Sequence, residues 1–308
     1  MRYKITLSYS GAGFFGWQVQ PDRLSVQEVL EKGLSTLLRT AVSVTGAGRT
    51  DTGVNAIGYV AHFDAPDPVD CTQLCYKLNA ILPRSVVALD ICPAPDGFHA
   101  RFDASQREYT YFLHTVKDPF ASSYSYQCGY RLDFEAMNRA AGLLAGRHGF
   151  SCFEKLGTDT KTSVCTVREA FWHPYTPILT PRSINLGRVS RSSGPAEYRG
   201  DAVPDEGLHG LTGYGGDVVP TGGSRDGNTD GEYWYFRISA DRFLRNMVRA
   251  VVGTLLEVGR GRRDMDSFAA LILPPDTPAD ADGCRRSLAG ESVPGHALFL
   301  SGVDYPEE

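Results

Sequence analysis

The sequence predicts an α+β protein of two related lobes, each an antiparallel sheet flanked by helices, arranged around a central basic cleft. Two observations lead there. Segments with period-two alternation and segments with helical periodicity succeed one another along residues 1–105 in the order strand, helix, strand pair, helix, strand. That order places helices over one side of an antiparallel sheet. The second half, residues 106–308, repeats the strand–helix–strand logic without a residue-level repeat.

Taken in order, Arg2 to Ser10 alternates as a strand and runs into an aromatic turn, Phe14-Phe15-Gly16-Trp17-Gln18. Ser25 and Glu28 form a capping box for a helix whose apolar stripe is Val26, Val29, Leu30 and Leu34. A β-branched run, Val42 to Thr45, enters a glycine-rich loop, and Tyr59 to Phe63 leaves it as a strand. Thr72 to Leu82 reads as a helix stopped by Pro83, and Ser85 to Cys92 as the next strand. Arg107 to Tyr111 alternates again. Asp133 caps a helix with Phe134, Met137, Ala141 and Leu144 on one stripe, and Val164 to Trp172 returns as a strand. From about 174 to 231 the chain turns to Gly, Ser, Pro, Arg and Asp, a composition too poor in apolar surface to offset its ordering entropy, so a flexible insertion is expected. Arg182, Arg188, Arg191 and Arg199 give it the option of touching a polyanion. Glu232 to Ser239 is a strand. A helix is expected over Asp241 to Gly253 with Arg242, Arg245 and Arg249 on one side, and Arg260, Arg262 and Arg263 beyond it. Met265 to Leu273 is a short helix, and Ala297 to Pro306 a closing strand.

At 308 residues, with 42% hydrophobic and 22% charged positions, the chain has the composition of a soluble globular protein with a large core. Its opening segment lacks the apolar block of a signal peptide. The most apolar run, Val248 to Val258, is interrupted by Arg249 and Glu257, which argues against a membrane span. The seven cysteines are dispersed, and no second Cys/His pair accompanies Cys71 and Cys75. Reduced thiols in a cytoplasmic protein, with no metal and no cofactor, are the expectation. A net charge of −5 disfavours a general nucleic-acid binder, yet a local cationic cleft remains open because charge distribution decides.

The chemistry is placed in the loop Gly46 to Ala56. Its glycines let backbone approach a ligand closely, and Arg49, Thr50, Asp51 and Thr52 stand between them. An arginine two residues away favours the ionised form of Asp51, which suits a nucleophile or a base better than a proton donor. The alternative is an ordinary Asp/Gly turn between strands. No Gly-Lys-Ser/Thr follows, so the loop is not a nucleotide P-loop.

Gly48-Arg49-Thr50-Asp51-Thr52-Gly53-Val54-Asn55-Ala56 resembles the Gly-Arg-Thr-Asp-Ala-Gly-Val-His-Ala motif of the TruA family of tRNA pseudouridine synthases. Thr52 and Asn55 depart from it, and Asn55 bears on how the loop is hydrogen-bonded. The Tyr9–Gln18 stretch, Phe98-His99-Ala100-Arg101-Phe102, the Met247-Val248-Arg249 helix with Phe243 before it, and the closing strand resemble further family segments in the same order. The resemblance implies the pseudouridine synthase fold, a homodimer, and isomerisation of uridine at positions 38 to 40 of the tRNA anticodon stem-loop. It implies Asp51 as the catalytic carboxylate, with Arg49 and Arg249 holding its charge. By the same resemblance Tyr109 lies against the target base and Leu298 lines the pocket floor. Arg101, Arg245, Arg262 and Arg263 are taken as cations facing the RNA. A non-catalytic RNA-binding protein on the same fold is the competing expectation. A phosphohydrolase built on Asp51 would require clustered metal-binding carboxylates, which the sequence does not show.

Overall fold

A computed structural model describes residues 1–155, 162–177, 232–277 and 286–306. Apart from residues 174–177, the expected insertion and its four arginines lie outside them. The strands are β1 (Arg2–Tyr9), β2 (Val44–Gly46), β3 (Asn55–Asp64), β4 (Val86–Ala94), β5 (Gln106–His114), β6 (Tyr126–Gln127), β7 (Gly146–Gly149), β8 (Val164–Pro174), β9 (Tyr233–Ala240) and β10 (Leu298–Asp304). The helices are α1 (Val26–Leu38), α2 (Cys71–Ile81), α3 (Phe134–Gly142), α4 (Met247–Gly259) and α5 (Met265–Ala269).

Short polar side chains start four of the helices by accepting an otherwise orphaned backbone N–H. Ser25 caps α1 through Glu28 N at 3.2 Å, Asp70 caps α2 through Gln73 N at 2.9 Å, Asp133 caps α3 through Ala136 N at 2.9 Å, and Asp264 caps α5 through Ser267 N at 2.7 Å. The exception is α4. It begins at Met247, after Asn246 adopts a left-handed conformation (φ 64°) without a side-chain cap. Arg242 and Arg245 therefore sit in the preceding loop and share no helix face with Arg249. The backbone there is held from outside, Lys155 N donating to Arg245 O and Thr166 N to the Asp241 carboxylate.

The described strands form one mixed, mostly antiparallel sheet in the order β4-β1-β3-β10-β5-β9-β8-β7, with β2 added to β3 and β6 to β5. Its central joint is β10, parallel to β3 (Phe299 opposite Asn55) and antiparallel to β5 (Leu298 opposite Tyr111). Two apolar cores lie on the same face. Leu300 packs into the one built on β1, β3, β4, α1 and α2, while Leu298, two residues away and so on the same side of the strand, packs into the one under α3, α4 and α5. The lobes thus share a single sheet, and Tyr109 touches both cores. Among the described residues no helix is long and apolar enough to cross a membrane. Cys71, Cys75, Cys92, Cys128 and Cys165 are free thiols. Cys152 is disulfide-bonded, which departs from the expectation of reduced thiols throughout.

Candidate active site

Residues 47–54, between β2 and β3, are braced on three sides. The N-terminal turn supplies two backbone bonds, Trp17 N to Thr50 O at 3.2 Å and Gly53 N to Phe14 O at 3.4 Å. Gly16 permits this approach, with φ at +93° and no side chain; a Cβ there would stand 2.4 Å from Thr50 O. Tyr9 and Thr50 share a buried hydroxyl–hydroxyl hydrogen bond of 2.9 Å. From below, the Tyr59 hydroxyl donates to Gly48 O.

The third brace is Asn55, 2% exposed. Its Oδ1 accepts from Gly11 N at 2.8 Å and its Nδ2 donates to His296 O at 2.7 Å. One amide side chain thereby ties the N-terminal turn and the segment leading into β10 to the loop between them. The departure from the family motif at this position is a structural staple. The sequence marks the position but not its partner, which is 241 residues away.

Asp51 stands half-buried at the crest of this loop, its side chain 29% accessible. Arg249, in the first turn of α4, brings Nη1 to 3.8 Å from Asp51 Oδ2, while its Nε donates to Val293 O at 2.7 Å. The Val293 carbonyl thus aims the guanidinium. The ion pair is long, and among the described residues the carboxylate accepts no hydrogen bond, so its oxygens remain available to a substrate. A carboxylate with free oxygens can attack carbon or remove a proton.

Tyr109 lies on β5 with its ring edge-on to Phe243, centroids 5.1 Å apart at 89°. Burial, and then the charge of Asp51, hold its phenol pKa above the usual value. It is therefore a neutral hydroxyl and an aromatic face beside a carboxylate, able to meet a planar base. Leu298 is buried in the C-terminal core at the start of β10, beneath the loop. Arg49 is exposed and makes no hydrogen bond or ion pair among the described residues. Arg101 is exposed, its guanidinium 5.6 Å from the Phe102 ring centroid. Arg245 and Arg262 are exposed. Arg263 is placed differently from the others. Its Nη2 lies 2.8 Å from both Glu257 Oε2 and Leu288 O, so the guanidinium is engaged within the protein.

The chain matches the family model described as tRNA pseudouridine synthase over residues 5–103 and 140–306. It is 41% identical over 308 residues to a protein of Parabacteroides distasonis named tRNA pseudouridine synthase A, covering 100% of this chain and 97% of that one. A protein of the same name from Bacteroides fragilis is 39% identical over 309 residues with the same coverage. One from Bacillus subtilis is 34% identical over 309 residues, covering 99% of each. A carboxylate loop, its arginine from α4 and a tyrosine between two cores thus occur in a chain that matches along nearly its whole length: the protein belongs to the tRNA pseudouridine synthase family, whose members are isomerases.

Proposed function

We propose that this protein isomerises uridine to pseudouridine at positions 38 to 40 of the tRNA anticodon stem-loop, with Asp51 as the essential carboxylate. The observation that carries the catalytic assignment is the placement of Asp51 itself, accessible, faced by Arg249 and flanked by Tyr109 at the junction of the two cores. In the reaction the glycosidic C1′–N1 bond breaks, the uracil turns, a C1′–C5 bond forms, and the C5 hydrogen is lost to solvent while N1 gains a proton. Asp51 serves as nucleophile toward the detached ribose or as base at C2′; both need an ionised carboxylate. Tyr109 offers its ring to the uracil, and Arg49, Arg101, Arg245 and Arg262 offer exposed cations to phosphates. Extruding the uridine costs roughly a few kcal/mol, offset by stacking and pocket hydrogen bonds.

A cytoplasmic homodimer completes this reading. Val87, Tyr124 and Phe299, with Ser8, Ser10 and Arg84 beside them, line a groove of about 250 Å³ on the sheet face away from the helices, a mixed apolar and polar surface that a second copy would cover. Sedimentation at micromolar concentration tests the dimer. The activity is tested by tritium release from C5-labelled uridine in tRNA. Release is expected from substrates with uridine at 38, 39 or 40 and not from those lacking it. Release that ignores these positions would move the specificity elsewhere.

A further inference from the structure

Among the described residues Arg107, on β5 two residues before Tyr109, binds no carboxylate. Within that set its guanidinium donates only to backbone carbonyls, drawn from three separate segments. Nε and Nη2 reach Ala47 O at 3.3 and 3.0 Å, Nη1 reaches Ala104 O at 3.1 Å and Asp241 O at 2.8 Å, and Nη2 also donates to Arg101 O. Burial pulls its pKa down from the ordinary arginine value. A half-buried cation satisfied by dipoles alone is costly unless the geometry is well matched, and the planar fork of five donors supplies that match.

Each acceptor stands at the root of a segment that carries a charged residue of the site. Ala47 opens the loop that bears Asp51, and Asp241 opens the segment that leads through Asn246 into α4 and Arg249. The third segment, 101–104, carries Arg101. We propose that Arg107 is a positioning residue of the isomerase site, clamping the roots of the Asp51 loop and of the Arg249 segment so that the long Asp51–Arg249 pair keeps its separation. This rests on the reading of Asp51 as the catalytic carboxylate. A displacement of about 1 Å at a reacting group costs on the order of 100-fold in rate.

The test compares Arg107→Met, Arg107→Lys, Arg249→Met, the Arg107→Met/Arg249→Met double variant and Asp51→Asn. Single-turnover tritium release and tRNA affinity are measured well below each melting temperature. Both Arg107 variants are expected to lose roughly 100-fold in rate while affinity stays within about three-fold. Lysine keeps the charge but cannot span the carbonyls, so it does not rescue; it is also the variant to read if Arg107→Met fails to fold. Arg107→Met is expected to add little to Arg249→Met, because a clamp has no further effect on a pair already broken. Full rate in Arg107→Lys overturns the proposal. Loss of affinity in step with rate, or multiplying effects in the double variant, overturns it equally, since a general structural defect behaves that way. Turnover by Asp51→Asn would instead refute the underlying site, an outcome separable from the others.

Discussion

Replacing Asn55 with leucine should keep the branched shape of the side chain, with bulkier methyls in place of the amide atoms, and remove its two short hydrogen bonds together with a longer one of 3.5 Å to Leu298 O. The side chain is 2% exposed, and it satisfies Gly11 N at 2.8 Å and His296 O at 2.7 Å. Leucine leaves both backbone groups unpartnered, at about 1–3 kcal/mol each. Partial relaxation of the turn at Gly11 brings the expected sum to about 3 kcal/mol, near the lower end. At roughly 2–4 °C per kcal/mol for a chain of this size, the melting temperature should fall by roughly 6–12 °C. Asn55→His, which restores the residue usual in the family motif, should cost less than about 1 kcal/mol, because neutral imidazole has one acceptor and one donor for the same two partners. Thermal unfolding of the two variants beside the wild type is the assay. Tritium release at a temperature where all are folded reports whether the Asp51 loop has lost its brace. An Asn55→Leu variant that melts with the wild type would refute the staple.

Asp51→Asn should abolish tritium release while leaving tRNA affinity largely intact, as the proposed division between a reacting carboxylate and phosphate-binding cations requires; filter binding and single-turnover rates separate the two. Arg262→Ala should lower the slope of log affinity against log salt by about one unit if it meets a phosphate. Arg263→Ala, whose guanidinium is bound to Glu257 and Leu288, should lower the melting temperature and leave that slope unchanged. His62 titrates at about 4 because of burial first, then the charges of Arg2 and His99, against the weaker opposite pull of Asp64 and Asp103. The unfolded chain then binds a proton below about pH 6.5 that the folded chain refuses, so stability is full above that pH and falls by up to about 3 kcal/mol toward pH 4. His62→Asn, which can still accept from Ala100 N, should flatten this acid limb in melting curves; an unchanged limb would assign it to other groups.

Local signals carried far in this chain. Ser25 and Asp133 announce their helices because a cap and its partner lie three residues apart. The glycines around Asp51 announce a close-packed loop, although Gly16, which lets the loop be approached, lies 35 positions earlier in another turn. The failures are long-range or conformational. Periodicity extended α4 back to Asp241 because nothing in the side chain of Asn246 reveals its left-handed backbone. Arg263 read as a surface cation, since its partner Glu257 is set by how the chain turns after α4. Arg107 carried no signal, because its partners are carbonyls and every residue has one. Nor could the sequence show that β10 runs parallel to β3, a pairing across more than 240 positions.

That pairing has a consequence for biosynthesis. Of the described strands, β10 leaves the ribosome after all the others, yet it occupies the middle of the sheet. Until it arrives, β3 and β5 each present an open edge, and such edges invite association with neighbouring chains. The nascent protein also lacks the His296 carbonyl that Asn55 needs and the Val293 carbonyl that aims Arg249. The bracing of the candidate site is therefore complete only late in synthesis, and a chain cut short before Val293 would hold two half-sheets without either contact.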